Sequence, residues 1–99
     1  MMKKNSVTLN ISHHTMSNNQ WDILSSLYKT CRGWIGYSSD SIPYWFSMDE
    51  NVKHINASAE MHGLVFDGLM EDDEWEKWLK EFISDSSDKL GFKVVDMED

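Results

Sequence analysis

The stretch Asp72-Asp73-Glu74-Trp75-Glu76-Lys77-Trp78-Leu79-Lys80-Glu81-Phe82-Ile83-Ser84-Asp85-Ser86 sets the reading of the whole chain. Trp75, Trp78, Leu79, Phe82, Ile83 and Ser86 fall at i, i+3, i+4, i+7, i+8 and i+11, the spacing of a broad apolar stripe on a helix. Asp72 or Asp73 is expected to cap it, because acids in a first turn suit the positive end of the helix dipole. Leu90-Gly91 marks its end.

Outward from that helix the pattern changes to period two. Leu64-Val65-Phe66 on the N-terminal side reads as a strand, joined through Glu60-Met61-His62-Gly63 to a second strand over 52–59. In that second strand Ile55, Ala57 and Ala59 share a face, and the two alanines suit close approach of a helix. Tyr44-Trp45-Phe46-Ser47-Met48 is aromatic and strand-like, with Tyr44 and Phe46 on one face and Trp45 on the other. Trp34-Ile35-Gly36-Tyr37 is a further short candidate, so 33–48 holds one strand or two. Nearer the start, Val7, Leu9 and Ile11 alternate with polar residues. Ser17 and Gln20 then form a capping box ahead of a helix over 18–31, with Trp21, Leu24, Tyr28 and Cys31 on its apolar side. Phe92–Met97 reads as a last strand. The expected fold is α+β, in the order β-α-β-β-β-α-β: a mostly antiparallel sheet of four to five strands with two helices packed on one face.

At 99 residues the chain fits one globular domain over 1–99, and 40% hydrophobic residues with five Trp supply a core without disulfide or metal. Cys31 is the lone cysteine, so no internal disulfide forms, and with seven Met this suits a reducing, cytoplasmic setting. Met1-Met2-Lys3-Lys4 starts like a signal sequence, but the alternating segment 7–11 is too short and polar for its apolar region. No stretch has the apolar length of a membrane span.

Net charge is -8, and it is lopsided. Residues 1–59 come to about +1 and residues 60–99 to about -9. Such a field disfavours direct contact with nucleic acid or anionic lipid and favours fast encounter with a basic protein. Within the second helix, Asp73–Lys77, Glu76–Lys80 and Asp85–Lys89 are spaced as i,i+4 pairs. Glu71, Asp72, Glu74, Glu81 and Asp88 are left over, and they are the acidic candidates for a partner surface.

Catalytic and metal chemistry find little support. His13-His14 are adjacent in a polar loop. His54 and His62 flank the expected hairpin, so they could approach each other, but no third ligand stands at a diagnostic spacing; they read as solvated loop histidines and no metal is expected. Cys31 sits on the apolar side of its helix, where a cysteine is a small hydrophobe rather than a nucleophile. No phosphate-cradling glycine loop or nucleophile motif is present. Tyr44-Trp45-Phe46 lacks the basic company of a base-stacking platform. The expectation is a non-enzyme without cofactor, and Tyr37, Tyr44 and Trp45 are the aromatic candidates for anchoring a protein partner.

Gly33-Trp34-Ile35-Gly36, Pro43-Tyr44-Trp45-Phe46, Glu74-Trp75-Glu76-Lys77-Trp78 and Leu90-Gly91-Phe92 together resemble the small immunity proteins of bacterial contact-dependent inhibition and related polymorphic toxin systems. The resemblance spans about Gly33 to Met97 and carries no functional motif. It implies a cytoplasmic inhibitor that binds one cognate toxin domain and blocks its active site or substrate path; apart from the resemblance, a monomer is the favoured state. Nucleases are common among those toxins, and their basic clefts would attract an acidic inhibitor. The alternative from a different class is a small acidic adaptor or regulatory domain, including a homodimer through a sheet edge or aromatic patch.

Overall fold

The computed structural model describes residues 2–98. Its elements are β1 (Lys3–Leu9), α1 (Asn18–Tyr28), β2 (Trp34–Tyr37), β3 (Pro43–Trp45), β4 (His54–Glu60), β5 (Gly63–Met70) and α2 (Asp72–Leu90). The five strands form one antiparallel sheet in the order β1-β5-β4-β3-β2, and both helices cover the same face. The chain is α+β as expected, with 33–48 holding two strands.

The order of the strands explains the helices. β2 to β5 form a meander, while β1 returns to pair with β5, so β1 and β2 lie at opposite edges. The link between them must cross the sheet. Five strands about 4.8 Å apart are ~19 Å wide, and an 11-residue helix at about 1.5 Å per residue covers most of that distance. α1 starts where the sequence says: Ser17 Oγ accepts from Gln20 N at 3.2 Å, and Gln20 Oε1 accepts from Ser17 N at 2.8 Å. Gln20 also donates from Nε2 to the Leu90 carbonyl at 2.9 Å, tying the start of α1 to the end of α2.

The core is built from aromatic rings on a sheet face of alternate residues. Val7 and Leu9, Leu64, Phe66 and Met70, Ile55 and Ala57, and Trp45 point towards Leu24, Leu27 and Tyr28 of α1 and Trp75, Trp78, Phe82 and Leu90 of α2. Trp45 is 0% exposed and lies 5.1 Å from Trp78, 5.2 Å from Tyr28 and 5.8 Å from Phe66, centroid to centroid. Buried indoles favour acceptors, and two of the three buried tryptophans have one. Trp45 Nε1 donates to the Tyr28 carbonyl at 3.0 Å, and Trp78 Nε1 to the Arg32 carbonyl at 2.9 Å. Gly68 gives Trp75 its seat: a Cβ there would meet Trp75 Cζ3 at 3.0 Å and the His54 carbonyl at 2.7 Å. Ala57 is buried, and with Ala59 and Leu64 it lines a shallow hollow beneath Trp21 and Leu24 of α1.

Several local expectations give way. β3 stops at Trp45 because Phe46 turns to φ +74°, so Phe46 does not share a strand face with Tyr44. Its ring instead packs over Gly33, where φ is +88° and a Cβ would come within 2.7 Å of the ring. Phe46 N donates to the Gly33 carbonyl at 2.7 Å, fixing the exit from the strand. α2 is capped by Glu71 rather than Asp72 or Asp73, and no side chain makes the cap hydrogen bond. Its last turn ends on Gly91 at φ +82°.

The C-terminal strand does not form. Residues 92–97 run along the outer edge of β1 with a single bridge, Leu9 to Asp96. Two backbone bonds make that bridge, Asn10 N to the Val95 carbonyl at 3.2 Å and Met97 N to the Thr8 carbonyl at 2.9 Å, and side chains supply the other contacts. Asn10 Oδ1 accepts from Val95 N at 2.7 Å, Asn10 Nδ2 donates to the Lys93 carbonyl at 3.0 Å, and Ser87 Oγ accepts from Val94 N at 2.9 Å. No helix among the described residues is long and apolar enough to cross a membrane.

Candidate partner-binding surfaces

The outer face of α2 is the first candidate. The stripe Trp75-Trp78-Phe82-Ser86-Leu90 is buried, which turns every charged residue of α2 outwards. Seven acids and three lysines are exposed there. Their pairing inverts the expectation from spacing. Among the described residues, none of Asp73–Lys77, Glu76–Lys80 and Asp85–Lys89 closes into an ion pair. The pairs that form cross between elements: Lys3 with Asp72 at 3.0 Å, Arg32 with Glu81 at 2.8 Å, and Lys53 with Glu74. Three of the five acids set aside as a surplus, Asp72, Glu74 and Glu81, are therefore answered by cations distant in sequence. Glu71 is half-buried at the helix start, and Asp88 is exposed on the last turns. All three ion pairs are solvent-exposed, a class worth about 0–1 kcal/mol each, and a partner can open them cheaply.

The aromatic candidates separate. Trp45 is core and has no surface to offer a partner. Tyr44 is 7% exposed on the sheet face opposite the helices. Its hydroxyl donates to Glu50 Oε2 at 2.6 Å, and that hydrogen bond, with burial and the Glu50 and Asp40 charges behind it, pushes its pKa up to about 12. Tyr37 is 42% exposed on β2, beside the exposed Ile35. β2 has a free edge, but it is four residues long and carries a bulge between Trp34 and Gly36, features that discourage strand addition.

Cys31 faces a shallow hollow between the end of α1 and α2, near Arg32, Glu81 and Asp85. Its thiol donates to the Leu27 carbonyl at 3.3 Å. Burial, with Asp85 and Glu81 nearby, pushes its pKa up to about 12, which keeps it a thiol and a poor nucleophile. His54 and His62 do not approach each other: His54 begins β4, and exposed His62 lies in the turn after its end, ~20 Å away at about 3.3 Å per residue.

The open face of the sheet is a surface that sequence reasoning missed. Register aligns Tyr44, Asn56, Asp67 and Ser6 in one row, and His54, Leu69 and Lys4 in the next. All of these but Tyr44, with Glu50 and Asn51 of the following loop, line an open hollow of about 600 Å³. His54 is 6% exposed, a buried residue of the strand expected over 52–59 and not the solvated histidine expected there. Its Nδ1 lies 2.9 Å from the Val52 carbonyl. A signal existed in the alternation of Asn56, Ser58, Val65 and Asp67, but only the strand register brings these residues together.

Compared with known proteins, the chain matches no family model, no curated protein and no solved structure.

Proposed function

We propose that this chain is an immunity-type inhibitor that neutralises a bacterial toxin domain, with a basic, nuclease-like domain as the partner. The observation that supports it is the exposed face of α2, where seven acids face three lysines and no ring of the core interrupts the charge. A negative field of that kind speeds encounter with a basic cleft and orients the partner on arrival. The resemblance of the segments around Trp34, Tyr44–Phe46 and Trp75–Trp78 to immunity proteins points the same way. Tyr37 and Ile35 on β2 are exposed apolar residues that a partner could also contact. The working setting proposed is the cytoplasm, with the chain acting as a monomer and without a cofactor.

Co-expression with the C-terminal domain of the protein encoded immediately upstream tests the reading. Rescued growth and a co-purifying complex that weakens from 50 to 500 mM salt are expected. Neither rescue nor complex would overturn it.

A further inference from the structure

The hollow on the open sheet face holds groups that want a donor. The Val52 carbonyl can only accept, so the His54 Nδ1 facing it carries a proton, and in that tautomer Nε2 is the acceptor. No buried side-chain nitrogen or oxygen lacks a partner among the described residues, so Nε2, which has no hydrogen bond there, reaches the hollow rather than being sealed beneath it. Asn56, half-buried on the same strand face, makes no side-chain hydrogen bond among the described residues, and neither does the Asp67 carboxylate directly across from it. Glu50 is held at the rim by the Tyr44 hydroxyl.

The balance of these groups selects the occupant. Asp67 and Glu50 supply two negative charges against one from Lys4 on the outer strand, so a cation is favoured over an anion. A metal ion is disfavoured, since no three His, Cys, Asp or Glu among the described residues converge as a ligand set. Acceptors spread over a flat sheet face suit a planar fork of donors better than a point charge. Leu69, between His54 and Lys4 in the register, offers an apolar seat for an alkyl stem.

We propose that this hollow receives an arginine side chain presented by the protein partner, with the guanidinium donating to Asp67, the Asn56 carbonyl oxygen and His54 Nε2. The proposal rests on the reading of a basic protein partner and adds the place where that partner is gripped. The acidic face of α2 attracts, and the sheet face anchors.

A ¹⁵N–¹H NMR titration of the full chain with acetyl-Gly-Arg-Gly-amide, beside the same peptide carrying neutral citrulline, tests it. Saturable shifts confined to residues 4–6, 54–56 and 67–69 are expected with the arginine peptide and none with citrulline. Asp67→Asn, an exposed and conservative change, should abolish saturation, whereas Asp73→Asn on α2 should leave it unchanged. Shifts centred on α2, an unaltered titration in Asp67→Asn, or no saturation in the parent chain would overturn the proposal. A chain that fails this titration yet rescues growth loses the arginine site and keeps the inhibitor function. One that binds the peptide but gives no rescue keeps the site and loses that function.

Discussion

Phe66 and Asp67 are neighbours on β5, and they belong to different surfaces. Phe66 faces a layer in which Tyr28, Trp45, Trp78 and Phe82 meet ring against ring and the Trp45 and Trp78 indoles have their acceptors. Asp67 faces a layer in which His54 Nε2 and the side chains of Asn56 and Asp67 make no hydrogen bond among the described residues. The helix-covered face is complete without a ligand; the open face is not. A protein of this size cannot leave its core unfinished, because the margin of folding is only about 5–15 kcal/mol. It can leave polar groups waiting on a face where water satisfies them until a partner arrives.

Substitutions on the two faces should therefore separate stability from binding. The largest effect is expected from Phe66→Ala, which opens a cavity among Trp45, Trp78 and Phe82 and should cost about 3–5 kcal/mol by urea unfolding. Gly68→Ala pushes a methyl against Trp75 and the His54 carbonyl and should cost about 1–3 kcal/mol, with a change in tryptophan fluorescence. If Gly68→Ala were neutral, the close seat of α2 on β5 would be wrong.

Smaller effects should mark the open face and the surface. Tyr44→Phe removes the hydrogen bond to Glu50 and should cost about 0.5–1.5 kcal/mol near neutral pH. The sign with pH follows from a folded-state pKa raised from 10.0 to about 12. The contribution is full below pH 10 and is lost as pH rises from there towards 12. Unfolding curves of parent and Tyr44→Phe should converge across that window, and a constant gap would contradict the Tyr44–Glu50 bond. Asp67→Asn should change stability by less than about 0.5 kcal/mol, since it removes no intramolecular contact.

How much of this was legible in the sequence depended on whether a feature was local. The stripe of α2 repeats over many turns, and Ser17 with Gln20 carries its own cap, so both helices were readable, as was the Glu60–Gly63 hairpin. The C-terminal segment misled because Phe92–Met97 has strand composition, yet only two backbone bonds tie it to the β1 edge while the Asn10 and Ser87 side chains hold the rest. The acids of α2 misled in a similar way. Spacing along one helix suggested lysine partners at i+4, but Lys3, Arg32 and Lys53 arrive from other elements and choose different acids. The hollow was beyond reach for the same reason: its rows exist only after the register of β1, β5, β4 and β3 is set. Phe46 at positive φ, which ends β3 and sends the chain into the 46–53 loop, has no local signature.

The division of labour between the two faces is tested most directly by measuring stability and affinity on one variant. Asp67→Asn and the parent chain would be compared by urea unfolding and by calorimetric titration with the toxin domain encoded upstream. Expected is an unfolding midpoint indistinguishable from the parent together with at least a tenfold loss of affinity, on the order of 1.4 kcal/mol or more. Equal affinity with equal stability would contradict the open face as the anchoring surface.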